Sequence, residues 1–279
     1  MQDKIEKIGT GTWIQHGELN QRVYLMKLAK QDCPSIIQEI NELARSKGYS
    51  KLFCKVPQEM APHFIANGFM TEAQIPRFFN HSETVFFMSK FLSSDRLLNI
   101  ETGKLKELSS LLSSVEVNNQ NNVNEESYQI RLLNERDCEN IASVYRTVFD
   151  SYPFPVHDPA YIAKTMKDAV LYFGVEYQGR LVALASAETD RKAQNAEMTD
   201  FATLPEFRGK GLALKILGKM EAEMEKEGIK TLYTIARLNS TGMNKTFLKR
   251  GYHYCGTSLK NTNISGEIES MNIYYKHIS

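Results

Sequence analysis

The sequence predicts an α/β (α+β) protein in two parts, a C-terminal unit with a mixed central sheet and a smaller N-terminal unit of related pattern. Three observations predict it. From residue 128 onward, short runs with strand periodicity alternate with amphipathic helical runs. Residues 109–127 are rich in Ser and Asn and have no sustained period, so they read as a linker between residues 1–108 and 128–279. The order of runs in the first part also echoes the second half of the other.

In the C-terminal unit, Tyr128–Leu133 is a strand, and Asn134 to Asp137 offers a cap for a helix through Ile141, Val144, Tyr145 and Val148. Tyr152-Pro-Phe-Pro-Val-His-Asp-Pro159 is a rigid aromatic loop before a second short helix. Val170–Tyr177 and Leu181–Ala187 form a hairpin around Gln178-Gly179. Glu197–Leu204 alternates as a strand, with Met198, Asp200, Ala202 and Leu204 on one face and Glu197, Thr199, Phe201 and Thr203 on the other. Pro205 ends it. A helix follows with Ala213, Ile216, Leu217, Met220 and Met224 on one side, ended by Gly228. Thr231–Ala236 is a strand, Gly242–Arg250 a helix, and Tyr252–Ser258 and Glu269–Tyr275 the last strands.

In the N-terminal unit, the helix Ser35–Gly48 parallels Lys215–Gly228, and Leu52–Val56 parallels Leu232–Ala236. Phe64-Ile-Ala-Asn-Gly-Phe69 parallels Phe247-Leu-Lys-Arg-Gly-Tyr252, and Glu83–Met88 parallels Glu269–Tyr274. At the loop before the first helix this copy has Ala29-Lys-Gln-Asp-Cys-Pro34, with no glycine. It is expected to hold no ligand of its own, and to cover a sheet edge, shape the site of the other unit or form a homodimer contact.

A net charge of +1 argues against a dedicated nucleic-acid binder. No apolar run approaches the ~20 residues of a membrane span, and Met-Gln-Asp-Lys-Ile-Glu-Lys is too charged for a signal peptide. Cys33, Cys54, Cys138 and Cys255 form no CxxC pair, so they read as reduced residues of a cytoplasmic protein that needs no metal and no disulfide.

Chemistry concentrates at Arg208-Gly-Lys-Gly-Leu-Ala213. Two glycines let the backbone approach a ligand, and the first N–H groups of the following helix have no intrahelical partner. With the helix dipole, Arg208 and Lys210, this is a site for a phosphorylated ligand such as a pyrophosphate. The spacing is neither GxxxxGK[ST] nor GxGxxG, which excludes the Walker and dinucleotide loops.

Arg208-x-x-Gly211-x-Ala213, after a strand and a proline and before a long helix, resembles the acyl-coenzyme A loop of the GNAT N-acetyltransferases, and the element order over 128–279 is similar to theirs. The resemblance implies a GNAT fold with a splayed central sheet, preceded by a degenerate GNAT-like half-domain. It implies acetyl-CoA held by Arg208, Gly209, Lys210, Gly211, Leu212 and Ala213, with the backbone of Phe201, Ala202 and Thr203 along the pantetheine arm and thioester. Amine acetylation needs a base, because a lysine-like amine has a pKa near 10.4. Glu197, eleven residues before Arg208, is the first candidate and Asp200 the second. The tyrosine acid common in GNAT proteins is replaced by Phe247, which leaves Tyr233, Tyr252 or water as the acid, or a thiolate that departs unprotonated. Asn239 or Asn244, which flank the corresponding position Ser240, is expected to replace the usual asparagine contact to the coenzyme, with Asn244 the first candidate.

Segments in both halves, among them Gln15-His-Gly17, Arg22–Leu28, Ile75-Pro-Arg-Phe-Phe79, 152–159, Tyr233–Ser240, Asn261–Gly266 and Glu269–Asn272, are similar to one GNAT subfamily, the beta-lysine N6-acetyltransferases. That implies beta-lysine as acceptor, in compatible-solute synthesis or lysine breakdown. Arg237 beside Asn239 then suits the acceptor's carboxylate, Glu197, Asp200 or Glu269 its cationic groups, and Tyr152 and Phe154 a cover over it. The rival readings are another diamine, polyamine or lysine derivative as acceptor, protein lysine acetylation, and a non-catalytic acyl-CoA sensor.

Overall fold

The protein is described by a computed structural model over residues 3–117 and 128–279. The N-terminal half contains β1 (Lys4–Ile8), β2 (Thr12–Gly17), β3 (Arg22–Lys27), α1 (Ser35–Ser46), β4 (Lys51–Pro57), α2 (Ala61–Ala66), β5 (Met70–Phe79) and β6 (Glu83–Phe91). Helices α3 (Ser94–Leu98) and α4 (Thr102–Ser114) follow. The C-terminal half contains β7 (Tyr128–Leu132), α5 (Cys138–Val148), α6 (Pro159–Lys167), β8 (Val170–Tyr177), β9 (Arg180–Asp190), β10 (Asn195–Thr203) and α7 (Leu212–Lys226). It closes with β11 (Thr231–Arg237), α8 (Thr241–Lys249), β12 (His253–Ile264) and β13 (Glu267–His277).

All described strands join one sheet, ordered β1-β2-β3-β4-β6-β5-β12-β13-β11-β10-β9-β8-β7. The run β2-β3-β4-β6-β5 has the same connectivity as β9-β10-β11-β13-β12, and the pairs β3–β4 and β10–β11 are both parallel. The sequence repeat is therefore a repeat of topology. The copies meet edge to edge where Ala73 of β5 pairs with Gly256 of β12.

The expected elements form, with two differences. The segment read as a linker begins in helix α4, because Leu105, Leu108, Leu111 and Leu112 recur at helical spacing and α4 packs on α8. Its remainder, 118–127, lies outside the described residues. The last two strands are also longer than their apolar runs, joined by a turn in which Ser265 and Gly266 have φ of +54° and +88°.

Helix α7 shows how pattern becomes packing. Leu212, Ile216, Leu217, Met220 and Met224 are buried on the sheet, and Gly228 ends the helix at φ +74°. A second core lies under α1, and a third joins the halves through Tyr24, Phe53, Ile75, Phe78, Phe87, Tyr233 and Ile273. From β4 to β11 there are five strand steps, about 24 Å in a flat sheet. Yet Lys55 of β4 lies 3.2 Å from the Tyr233 hydroxyl of β11. The sheet rolls up, and its concave face becomes the inter-half core.

Buried cations hold that roll. Between Ser258 and Thr262, β12 loses register with β13, so backbone carbonyls there need other partners. Arg22 donates to the Asn261 carbonyl at 2.6 Å, Arg96 to the Lys260 carbonyl at 2.8 Å, and Lys51 to the Leu259 carbonyl at 2.6 Å. Lys51, with no exposed surface, also pairs with Glu72 at 3.1 Å, and Glu72 accepts from Ser89, Ser258 and the Leu259 amide. Lys51→Met leaves that carboxylate buried without its cation. The expected cost is about 3–5 kcal/mol by denaturant titration, and Glu72→Gln added to Lys51→Met should recover most of it.

Candidate active site

Strands β10 and β11 pair only through Asn195–Glu197 and Thr231–Tyr233. Beyond that point β10 stays with β9, and β11 stays with β13 through Arg237. The two parallel strands thus part in a V whose apex is Glu197 and Tyr233. The sheet is splayed, as expected, and the backbone of Phe201, Ala202 and Thr203 lines one edge of the opening.

The expectation that Glu197 and Asp200 lie on opposite faces is corrected. Asp200 has a φ of +54°, and the β9–β10 register shifts between Thr199 and Ala202. This bulge inserts an extra residue and re-aims the side chain. Asp200 accepts from Ser186 Oγ and from Tyr152 Oη, each at 2.6 Å. Ser186 shares a face of β9 with Glu188, which stands directly opposite Glu197. Glu188, Glu197 and Asp200 therefore gather on one face.

Sequence reasoning missed Glu188, Lys55 and Tyr24. An alternating strand gave no sign of which face of β9 met the cleft, and Lys55 comes from the other half. Burial raises Glu188 most, the charges of Glu197 and Asp200 add to it, and Lys55 opposes; the carboxyl is pushed up to about 8. Glu188 keeps surface exposed to water, which moderates the contribution of burial, and its anionic neighbours act in the same upward direction. Burial also raises Glu197, against Lys55 and a hydrogen bond from Tyr233. It raises Asp200 against the Ser186, Tyr152 and Thr199 hydroxyls. Burial alone would pull Lys55 down, but Tyr24, Glu197 and Glu188 outweigh it and hold it above an ordinary lysine. Tyr233 stays protonated, because burial and Glu197 drive it well above its usual range.

At the far end of β10, the Arg208–Ala213 turn is exposed up to Gly211. Gly209 and Gly211 have φ of +76° and +70°, and a Cβ on Gly209 would meet nothing within 4 Å. Helix α7 has no side-chain cap, so its first N–H groups remain for a ligand. Arg208 donates to the Thr203 carbonyl at 3.2 Å, and Lys210 lies 5.2 Å over the Phe207 ring. These features fit an acetyl-CoA pyrophosphate. The matching N-terminal loop differs: Asp32 fills its place, accepting hydrogen bonds from the amides of Thr10, Gly11 and Thr12.

Other expected site residues are engaged elsewhere. Asn244 is corrected from coenzyme contact to structural tie. It is buried, donates to the carbonyls of Arg237, Leu238 and Ser240, and accepts from Asn272 and Tyr274, which leaves no free polar atom. Arg237 and Glu269, each expected to hold part of the acceptor, hold one another in a bidentate pair at 3.0 and 2.5 Å. Asn239 is exposed in the turn before α8. The 152–159 loop is tied down at Tyr152 by Asp200 and at the Pro153 carbonyl by Gln15, and Phe154 packs on the core. Phe247 is buried among Phe201, Tyr252 and Tyr274. The Tyr252 hydroxyl is buried beside Glu221, away from the cleft carboxylates.

The profile of the Acetyltransferase (GNAT) family matches residues 141–252. A beta-lysine N(6)-acetyltransferase of Methanococcus maripaludis is 39% identical over 263 residues, 94% of this chain and 95% of that protein. Another of Methanosarcina mazei is 40% identical over 149 residues, 53% of this chain and 55% of that protein. The N-acetyltransferase YodP of Bacillus subtilis is 28% identical over 100% of both chains. A splayed β10–β11 pair, an uncapped glycine turn at α7 and full-length similarity agree: the chain belongs to the GNAT acetyltransferase family, in the group of the beta-lysine N(6)-acetyltransferases.

Proposed function

We propose that this protein transfers the acetyl group of acetyl-CoA to the N6 amine of beta-lysine. The observation that carries the mechanism is the row Glu188–Glu197–Tyr233 across three strands at the apex of the V. Like charges directly opposite on a sheet are destabilising, so their placement at this cleft points to use on a cationic amine. The full-length relative supports the acceptor. The walls supplied by Tyr24, Lys55 and Phe78 of the N-terminal half favour a small acceptor over a protein lysine. Because that half makes its sheet-edge contact within the chain, this reading needs no second subunit.

Acetyl-CoA supplies the activated acetyl group. In this reading Glu197 takes a proton from the acceptor ammonium, directly or through water, with Asp200 as the second base candidate. The neutral amine attacks the acetyl carbonyl carbon; the C–N bond forms, the C–S bond breaks, and the sulfur leaves with the electron pair. The amide nitrogen's remaining surplus proton goes to the carboxylates or water. Tyr233 donates to Glu197 while accepting from Lys55, which orients the base.

Glu197→Gln should lower kcat by about 10²–10⁴ and recover partly at high pH, with acetyl-CoA affinity retained by calorimetry. Wild-type rates for both Glu197→Gln and Asp200→Asn would exclude both as base, and no transfer to any amine would favour the sensor reading. The raised carboxyls fix the sign of the pH dependence: activity is lost as pH falls and the base is protonated, at a pH above the ~4.3 of a free glutamate. With Glu197 as the base, Asp200→Asn removes the charge that raises it and should move the acid limb of kcat/KM to lower pH. Gly211→Val forces a β-branched residue into a left-handed position, a strain of about 1–3 kcal/mol. A free turn that relaxes out of this conformation must regain it to bind, which should weaken acetyl-CoA by roughly 5- to 150-fold in a protein that still folds. Calorimetry of the wild type should give one acetyl-CoA per chain, because Asp32 fills the N-terminal loop.

A further inference from the structure

Lys55 is a half-buried cation at the wall of the cleft, contributed by β4 of the non-catalytic half. Its Nζ donates to the Tyr233 hydroxyl at 3.2 Å and lies 5.8 Å over the Tyr24 ring and 5.6 Å over the Tyr233 ring. Among the described residues it forms no ion pair, although its charge acts on both Glu188 and Glu197. The other cation suited to a carboxylate, Arg237, is held on both fork positions by Glu269. Arg22 is committed to the Asn261 carbonyl and Thr262.

We propose that Lys55 holds the carboxylate of the acceptor and thereby selects a diamino acid over a diamine or polyamine. The inference rests on the acceptor reading given above. The cleft offers three carboxylates and one free ammonium; beta-lysine offers two ammonium groups and one carboxylate. With the reacting nitrogen at Glu197, the second ammonium faces the remaining acidic groups and the carboxylate faces Lys55. Six bonds separate the reacting nitrogen from the carboxyl carbon, roughly 7 Å when extended, since three bonds of extended chain cover about 3.8 Å. Glu197 and Lys55 both meet the Tyr233 hydroxyl, so they flank one oxygen atom, and a molecule of this length, its ends lying one hydrogen bond beyond each group, can engage both. A diamine or polyamine brings only cations, leaves Lys55 without a counter-ion and places positive charge against it.

The test compares beta-lysine, its primary carboxamide and 1,4-diaminopentane, which is beta-lysine without the carboxylate, as acceptors for the full-length protein with saturating acetyl-CoA. Wild type should prefer the acid to the amide in kcat/KM by tenfold or more, within the ~10- to 150-fold that a hydrogen bond to a charged group carries. Lys55→Met should collapse this preference: whatever loss comes through Tyr233 and Glu197 is shared by all three acceptors, while the acid alone suffers a further rise in KM of about tenfold or more. Lys55→Arg should keep part of the preference. Melting temperature and acetyl-CoA affinity report that the variants are folded, and the wild-type acid-to-amide ratio stands without any variant. Equal loss for all three acceptors in Lys55→Met would mean that Lys55 acts only through Glu197, and would overturn the proposal. An acid-to-amide ratio near one in wild type would overturn it too, with beta-lysine acetylation itself intact. Wild-type preference for 1,4-diaminopentane or a polyamine over beta-lysine would instead overturn the acceptor reading, and the role of Lys55 with it.

Discussion

The bulge at Asp200 is the constraint on which the site depends. A non-glycine residue at φ +54° stores strain of order 1–3 kcal/mol, and a strand that simply alternated would avoid it. The bulge lets β10 bend away from β11 while it keeps its ladder to β9. It also turns Asp200 onto the face of Glu188 and Glu197. Hydrogen bonds from Tyr152 and Ser186 hold the aspartate there. One backbone irregularity thus opens the groove and assembles the carboxylates beside it.

The second half of the site comes from a copy that has lost its own loop. In the N-terminal copy, the Ala29–Pro34 loop has no glycine, and its Asp32 binds the amides of the β1–β2 turn. The β3–β4 ladder stops at Leu25 and Cys54, one residue before Lys55. This is where the strands of the second copy begin to part. The vestigial opening of one copy thereby presents Tyr24 and Lys55 to the working opening of the other. Arg22, Lys51 and Arg96, anchored on the irregular stretch of β12, keep the two faces together.

Electrostatics explains why such a cluster is tolerated. Burial raises all three acidic groups, and repulsion between them adds to the rise at Glu188 and Glu197. Lys55 and the Tyr233 hydroxyl offset part of it. An arriving ammonium offsets more, so the site is better matched to its cationic acceptor than to water.

The sequence by itself determined the element order, because strand and helix periods are local. It determined the Arg208–Ala213 turn, because glycine, proline and an amphipathic run occur in a fixed order there. It also marked Glu197, and it carried the repeat that became a repeated sheet topology. It flagged Ile75–Phe79, Arg22–Leu28 and Asn261–Gly266 as distinctive without giving them a place. Only the rolled sheet brings Phe78, Tyr24 and the β12 carbonyls around one cleft. Alternation put Asp200 on the wrong face, because a bulge is fixed by partners at Ser186 and Tyr152 rather than by its own residues. Asn244 and Arg237 looked free in the sequence, and tertiary contacts with Tyr274 and Glu269 consumed them. Lys55, far from the motif along the chain, reaches the base only because buried cations close the two halves face to face.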